Sequence, residues 1–488
     1  MISKKQIISF YIIIAVFVAI NAIFILSEKS YLFSLFPLLT LVLVSLVYYP
    51  IDKVLFVSVC FIPFSIPLKE YFDIDFNLDV PTEPLFIFIT LIFALKLIRD
   101  KNFDKDFFKQ PITLSIIIYI FWQVITTFTS TIPIVSIKHI IMQIWFIVPF
   151  FFLMSLIVKN LKNVKKFLWL YIIPLTVVII IIMVQHYMFG FTLASSAFIQ
   201  KPFFYDHTSY GATLAMFIPV LIFFCVNREE KKYIRMVSFS LLTLFIVALI
   251  FSYTRAAWVS LAASLALFFM MKFRLNYRIF IVVSIVAMIG FFIFQKDIFM
   301  QLSGNKQDSS DNLMNHVASI TNVSTDASNL ERINRWNCAI RMYEEKPFFG
   351  WGPGTYQFEY APFQNFYEKT YASTNNGDEG NAHSDYLGAL AETGLIGMLS
   401  YIFIVFSVII TAIKTYNKVN SKSLKLLLIT LNCSLFTYFV HGFLNNFLDK
   451  DKIAVAFWAF IAVITVINLY HSNDYFKDNK TTCEKDRI

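Results

Sequence analysis

Apolar segments of about twenty residues recur along the chain and are separated by short polar connections. A helix of that length crosses a hydrocarbon core of about 30 Å, and in lipid only helices and closed barrels satisfy the backbone hydrogen bonds. The pattern therefore predicts an all-α polytopic membrane protein with about 12–14 transmembrane helices. The predicted spans are 7–26, 32–49, 54–67, 84–98, 112–130, 140–158, 166–186, 210–226, 236–252, 256–271, 278–295, 394–413, 424–442 and 453–470.

The first apolar segment follows the basic start MISKK and has no small-residue cleavage site, so we interpret it as an uncleaved span. One long interruption then divides the rest. We expect a transmembrane bundle over 1–295 with about 11 spans, a loop over 296–393, C-terminal spans over 394–471 and a tail over 472–488.

The long loop is predicted to fold as a small cap. In NLERINRWNCAIRMYEEKP, the side chains of Ile333, Trp336, Ile340 and Tyr343 have helical spacing. Pro347 and the glycines of FFGWGPGTY end that helix and predict a turn.

Composition agrees with a chain that is largely surrounded by lipid, since 58% of its residues are hydrophobic and only 15% are charged. The net charge of +9 does not indicate nucleic acid binding. Most of the 41 lysines and arginines lie on one side of the predicted membrane, in segments such as VKNLKNVKK and NREEKKYIR. The positive-inside rule makes that side cytoplasmic and places the long loop outside. The five cysteines have no spacing that indicates a disulfide framework or a metal site.

The segment SYTRAAWVSLAASL places Arg255 in the first turn of a helix that re-enters the membrane from outside. A helix N-terminus presents free N–H groups and partial positive charge, and a guanidinium adds a bidentate phosphate contact. The alternative is an arginine whose head group extends to the membrane surface.

Two other outer segments carry candidate ligand contacts. In QKPFFYDHTSYGA, Lys201 is a candidate phosphate contact, and Asp206, His207 and Tyr210 are candidate sugar contacts, unless this segment only caps the next helix. In NLERINRW, the candidates are Arg332 and Arg335, unless Arg332 packs on Trp336, which lies four residues later on the same helix face.

The polar run NAHSDYLGALAETGLIG places His383 at the start of a predicted helix. The positive end of a helix disfavours an imidazolium and so keeps a neutral imidazole available as a base. The alternative is a histidine that only ends a loop. The chain has no GxxxxGK[ST], G-x-S-x-G or HExxH motif, so an ATP-driven pump is not indicated. Few charges lie in the middle of the spans, which gives little support to a transporter.

Taken together, SYTRAAW, ERINRWNCAIRMYEEKPFFGWGPGTY, HSDYLGALAETGLIGMLSY and HGFLNNF, in this order, resemble motifs of the O-antigen ligase and polymerase superfamily. The resemblance runs from about Lys201 to Phe447. It implies a GT-C-type bundle in the bacterial inner membrane with a large periplasmic loop over the active site. His383 matches the family's essential periplasmic histidine and Arg255 its short-loop arginine, whereas Lys201 stands on or near another family arginine.

The resemblance also implies the reaction. The donor would be a glycan on undecaprenyl diphosphate, and the acceptor a hydroxyl of the lipid A core, of a second lipid-linked repeat or of a protein. We expect metal-independent, inverting transfer without a cofactor, in which His383 deprotonates the acceptor and Arg255 stabilises the departing diphosphate. Lys201 and Arg332 would hold the diphosphate or sugar. O-antigen ligation is the first hypothesis; polymerisation of a polysaccharide, protein glycosylation, and a polysaccharide or lipid transporter are the alternatives.

Overall fold

The computed structural model describes residues 50–68, 78–100, 104–276, 327–369 and 380–472, together with residues 278, 282 and 373. Nine helices in these ranges are long and apolar enough to cross a membrane. The protein is thus an all-α polytopic membrane protein, as predicted. The predicted spans 7–26 and 32–49 lie outside the described residues, as do nearly all of 278–295 and the tail after Ser472.

The helices before the long loop are α1 (Ile51–Phe61), α2 (Thr82–Asp100), α3 (Lys105–Phe108), α4 (Pro111–Phe128), α5 (Pro133–Ile147), α6 (Met154–Ile157), α7 (Lys162–Met188), α8 (Leu193–Ser196), α9 (His207–Val226), α10 (Lys232–Phe251) and α11 (Arg255–Lys272). A π-helical turn, Val148–Leu153, joins α5 to α6, so that Pro133–Ile157 forms one span. The later helices are α12 (Ala327–Glu345), α13 (Tyr356–Glu359), α14 (Asp385–Lys418), α15 (Lys422–Leu444) and α16 (Asp451–Tyr470).

The predicted span 54–67 is wrong. The helix there, α1, has 11 residues and is therefore only about 16 Å long, too short to cross a membrane. A 3₁₀ turn, Ile62–Phe64, follows it, and Pro63 within that turn has no N–H to continue the α-helical hydrogen bonds. The strand Ile66–Pro67 then pairs antiparallel with the strand Asp79–Val80. The predicted span 84–98 lies within α2, which has 19 residues and is not among the nine candidate spans.

Helix α16 lies at the centre of the bundle, since all but a few of its residues are buried. Its first turn carries a buried polar network. The Asp451 carboxylate accepts a hydrogen bond from the Thr82 hydroxyl at 2.7 Å, and the Lys452 ammonium donates to the Ser65 carbonyl at 3.0 Å and to the Ser65 hydroxyl at 2.6 Å. The network ties Ser65 and the first residue of α2 to the start of α16.

Helix α14 begins at Asp385, nine residues before the predicted span start at Gly394. Gly394 interrupts the helix with φ 70° and ψ −173°, a backbone conformation that side-chain-bearing residues rarely adopt. A Cβ there would also lie 2.2 Å from the Phe348 carbonyl oxygen. The polar run and the apolar segment thus form two halves of one kinked helix, and the predicted boundary at 393/394 falls at the kink.

Candidate active site

The described part of the long loop, residues 327–369 and 380–384, folds onto the first half of α14, and we call it the cap. The two share a small hydrophobic core that is separate from the core of the bundle. Its buried members are Trp336, Cys338, Ala339, Met342, Tyr356, Tyr360, Ala382, Leu387, Leu390, Ala391 and Met398. Helix α12 confirms the helix that was predicted from the spacing of Ile333, Trp336, Ile340 and Tyr343. We call the end of the bundle that carries the cap the cap end.

His383 is held by its backbone on both sides. Its N–H donates to the Asn381 side-chain oxygen at 3.1 Å, and its carbonyl accepts a hydrogen bond from the Trp336 indole at 3.3 Å. Its φ of 47° is in the left-handed region, which is uncommon for a residue other than glycine and often marks a functional position. Ser384 caps α14 by accepting from the Leu387 N–H at 3.3 Å, so His383 precedes the helix as predicted.

The surroundings of His383 keep its imidazole neutral. Burial lowers the pKa of His383 to about 4, and the nearby Arg332 and Arg335 guanidinium groups add to this shift. The carboxylates of Glu331 and Asp206 oppose it. At neutral pH the ring is therefore in its basic form, which a general base requires.

Arg335 lies inside the cap. It is only 4% exposed, its Nε donates to the Glu331 carboxylate at 2.7 Å, and its guanidinium lies 3.9 Å from the centre of the Tyr360 ring. A Cβ on Gly380 would collide with this guanidinium, so the glycine lets the chain before His383 pass over it. Arg335 thus packs on the Tyr360 ring, and the alternative that Arg332 packs on Trp336 stays a prediction.

Arg332 projects from the same helix towards the membrane bundle. Its Nε donates to the Leu444 carbonyl at 3.3 Å, which is the last residue of α15. The C-terminal carbonyls of a helix carry partial negative charge and are stabilised by a cation. Arg332 therefore connects the cap to the end of α15.

Arg255 is half-buried at the first position of α11. The preceding residue, Thr254, donates from its hydroxyl to the His207 carbonyl at 2.7 Å. A Cβ on Gly211 would meet the Thr254 side chain at 2.6 Å, so this glycine permits the close approach of α9 and α11. The N-termini of the two helices consequently meet, and Arg255 lies beside the segment that carries Asp206 and His207.

The candidates of the 201–210 segment occupy different places. Asp206 caps α9, accepting from the Ser209 N–H at 2.7 Å in a capping box, as the capping alternative expected. Lys201 is exposed and its ammonium lies 6.0 Å from the centre of the Tyr205 ring. Tyr210 is buried inside the bundle against Phe204. Contacts of these residues with a sugar or phosphate stay predictions.

The sequence interpretation missed His441. This histidine is only 1% exposed, near the end of α15. It interacts with the Ala256 backbone and lies within electrostatic range of Arg332 and Asp206, and its Nε2 pairs with the Asn445 amide at 3.1 Å. A polar ring inside a predicted span is itself a signal of function, and HGFLNNF carried that signal.

The segments around Asp206, Arg255, Arg332, His383 and His441 therefore converge at the cap end. The first two come from neighbouring helix N-termini, and the other three come from the cap and from α15. The site thus combines a neutral imidazole with guanidinium groups beside a helix N-terminus. This arrangement suits deprotonation of a neutral hydroxyl next to a polyanionic leaving group.

A buried hydrogen bond fixes the helix that follows His383. The Tyr438 hydroxyl donates to the Asp385 carboxylate at 2.7 Å and accepts from the Phe447 N–H at 3.1 Å. One hydroxyl therefore joins the first turn of α14 to α15 and to the loop after it. Gly442 leaves room for the carboxylate, since a Cβ there would lie 2.7 Å from it.

We expect Tyr438→Phe to destabilise the protein by about 1–3 kcal/mol, because the buried Asp385 carboxylate and the Phe447 N–H both lose a partner. Thermal unfolding of the purified protein in detergent micelles measures the loss as a lower Tm. Tyr233→Phe on α10 is the matched control, because Tyr233 is 62% exposed. Equal Tm values for the two variants would contradict the assigned role of Tyr438.

Residues 239–402 match the family model described as O-antigen ligase. The matched range contains Arg255, the three arginines of α12 and His383, and it ends inside α14. A comparison with curated proteins finds no match.

Proposed function

We propose that this chain, whose residues 239–402 match the O-antigen ligase family model, is a membrane glycosyltransferase that transfers a glycan from undecaprenyl diphosphate to an acceptor hydroxyl. In the first hypothesis, O-antigen ligation, the acceptor is a sugar hydroxyl of the lipid A core. The protein would lie in the bacterial inner membrane, with the cap on the periplasmic side. The observation that supports the proposal is that the segment of His383, whose imidazole is neutral, and the segment of Arg255, at a helix N-terminus, meet at the cap end.

The chemistry is an in-line displacement at the anomeric carbon. The acceptor oxygen forms a bond to that carbon while the bond to the diphosphate oxygen breaks, and the configuration inverts. The acceptor hydroxyl gives its proton to His383. Negative charge develops on the departing diphosphate, where the Arg255 guanidinium and the free N–H groups of α11 stabilise it.

The other candidate residues are proposed either to contact the donor or to shape the site. Arg332 is half-buried and faces both His383 and the end of α15, so it is proposed to hold the diphosphate. Lys201 is proposed as an outer phosphate contact, and His207 as a sugar contact. Asp206 and Arg335 already have structural partners, so they are proposed to shape the site rather than to bind most of the ligand.

Reconstitution with defined substrates tests the acceptor. Purified protein in vesicles receives a lipid-linked glycan together with lipid A core, and the products are separated on gels. Glycosylated core supports ligation, whereas longer lipid-linked chains identify a polymerase. Glycan on an added acceptor protein identifies protein glycosylation. Movement of the glycan across the vesicle membrane without any new glycosidic bond would support a transporter and contradict the proposal.

The pKa of His383 predicts the pH dependence. Only neutral His383 accepts a proton, so kcat/KM is expected to stay constant at neutral pH and to fall as the pH drops through about 4. Arg332→Gln removes a positive charge that opposes protonation of His383. The pKa of His383 therefore rises in this variant, and the acid limb of the profile moves to higher pH. Initial rates at limiting donor, measured as a function of pH, give the acid limb of the parent protein and that of the variant.

Arg341→Gln is the matched control for that profile. Arg341 lies on the same helix, but it pairs with Glu368 at 2.6 Å and is not among the groups that shift the pKa of His383. Its acid limb is expected to coincide with that of the parent protein. An unchanged limb in Arg332→Gln would contradict the electrostatic coupling of Arg332 to the base.

A further inference from the structure

Two aromatic side chains of the cap point away from the cap core. Phe348 and Phe349 follow α12 in the segment PFFGW, and they are 68% and 44% exposed. Three other cap aromatics, Trp336, Tyr356 and Tyr360, are buried in the cap core, whereas Phe358 on α13 is 46% exposed. We call residues 347–351 the aromatic loop. An exposed pair of phenylalanines in water is unfavourable, so their surroundings need an explanation.

The aromatic loop is fixed against two membrane helices. The Pro347 carbonyl accepts a hydrogen bond from the Leu395 N–H at 3.0 Å, at the kink of α14. The Phe349 ring stacks on Trp122 of α4, with centroids 5.7 Å apart and planes 11° apart. The Trp122 indole in turn donates to the Thr393 carbonyl at 2.8 Å. The position of the loop along the bundle is therefore set by the spans.

That position is the end of the apolar surface of the bundle. On α14, the exposed apolar residues begin directly after the kink, with Leu395 and Ile396 at 38% and 42% exposure. On α4, the exposed apolar surface ends with Phe128, which is 86% exposed. In the polar segment that follows, the Thr131 N–H donates to the Trp351 carbonyl at 3.0 Å. The phenylalanines thus continue the lipid-facing surface at the level where the spans end.

We propose that the aromatic loop inserts Phe348 and Phe349 into the headgroup–acyl boundary of the bilayer and docks the cap on phospholipid. Aromatic rings are favoured at that boundary, and the backbone groups at both ends of the loop, at Pro347 and Trp351, are hydrogen-bonded to α14 and to the segment after α4. The partner is the lipid surface, and no glycan is needed for the docking.

Docking also constrains the active site. Beyond Trp351 the chain turns back, and the Glu392 carboxylate accepts hydrogen bonds from the Gly354 and Tyr356 N–H groups at 2.9 and 3.1 Å. The Gly352 N–H donates to the Glu392 carbonyl at 2.7 Å. The segment that follows the lipid-docked loop is therefore hydrogen-bonded to the first half of α14, which begins two residues after His383. These bonds hold that half of the helix against the membrane surface.

Depth-dependent quenching tests the proposal. Phe348→Cys, in a chain whose native cysteines are replaced by serine, is labelled with a nitrobenzoxadiazole fluorophore. The protein is reconstituted in phosphatidylcholine–phosphatidylglycerol vesicles with lipids that carry a doxyl group near the headgroup or deep in the chain. Tyr367→Cys is the matched control, because Tyr367 is also in the cap and is 93% exposed, but its neighbour Glu368 is tied to Arg341 and not to a span.

The label at 348 is expected to be quenched several-fold more by the shallow doxyl lipid than the label at 367, and to be protected from aqueous iodide. Equal iodide quenching at both positions would overturn the proposal. Protection of 348 from both iodide and doxyl lipid would overturn it as well, because another part of the protein would then cover the loop. Phe348→Trp with brominated lipids, read as the difference from the parent protein, repeats the test with all native cysteines present. Neither readout depends on glycan transfer, so a result that overturns the docking proposal would leave the proposed function standing.

Discussion

His383→Ala is expected to lower the rate of glycan transfer by about 10²- to 10⁴-fold, the usual contribution of a positioned general base. The imidazole is neutral because burial and two arginines hold its pKa at about 4. The loss should appear in kcat more than in the KM for the lipid-linked donor, since His383 acts on the acceptor proton. Initial rates of transfer in vesicles, with lipid-linked donor and core acceptor, provide the measurement.

The control for this variant is His471→Ala. His471 lies at the opposite end of the bundle, where its ring contacts the Lys159 carbonyl, so the variant is expected to transfer glycan at the parental rate. Both proteins must be present in the membrane in equal amounts. Transfer by His383→Ala within a factor of a few of the control would rule out His383 as the base.

Arg255 gives the second large effect. Arg255→Ala is expected to reduce kcat by about 10²- to 10³-fold, as for other groups that stabilise developing negative charge. Arg255→Lys keeps the charge but loses the planar fork, which binds phosphate oxygens bidentately. Its affinity for the lipid-linked diphosphate should therefore fall by about tenfold or more, because one charge-assisted hydrogen bond contributes about 1.5–3 kcal/mol and about 1.4 kcal/mol changes an affinity tenfold.

Arg235→Lys serves as the matched control for the lysine exchange. Arg235 is on α10, at the end away from the cap, and its Nε donates to the Cys225 carbonyl at 3.0 Å. Donor affinity, measured by titration of the detergent-solubilised protein with undecaprenyl-diphosphate-linked glycan, is expected to be unaltered in this variant. Unaltered affinity in Arg255→Lys as well would argue against bidentate binding of the diphosphate by Arg255.

Helix identity and order followed from the sequence because lipid imposes a simple rule on length and polarity. The spans from 112–130 to 453–470 within the described residues all correspond to helices. The errors arose where that rule has no force. Residues 54–67 are apolar, but prolines and a short strand pair divide them. The span was predicted to begin at Gly394, where apolarity begins, but the helix that Ser384 caps continues into that span across the kink.

The site was only partly predictable, for a different reason. Motifs single out residues, but they carry no information on which side chains a distant segment brings together. The contact of Thr254 with His207 and that of Arg332 with Leu444 join positions 47 and 112 residues apart. His441 entered the site in this way, through α15. Asp206 and Arg335 were singled out for their charge, yet each has a local structural partner that no spacing rule reveals.

The kink at Gly394 makes α14 a lever. The half from Asp385 to Thr393 has nine residues and is about 13 Å long, so a change of 10° in its tilt would move its tip by about 2 Å. The carboxylate of Glu392 and the carbonyl of Pro347 clamp the joint, so tilting of the span is passed on to the half that follows His383. A bilayer that is thinner or thicker than the span changes that tilt. Glycan transfer is therefore expected to pass through a maximum as the acyl chains of the vesicle lipid are lengthened, and the bilayer would set the reach of the base.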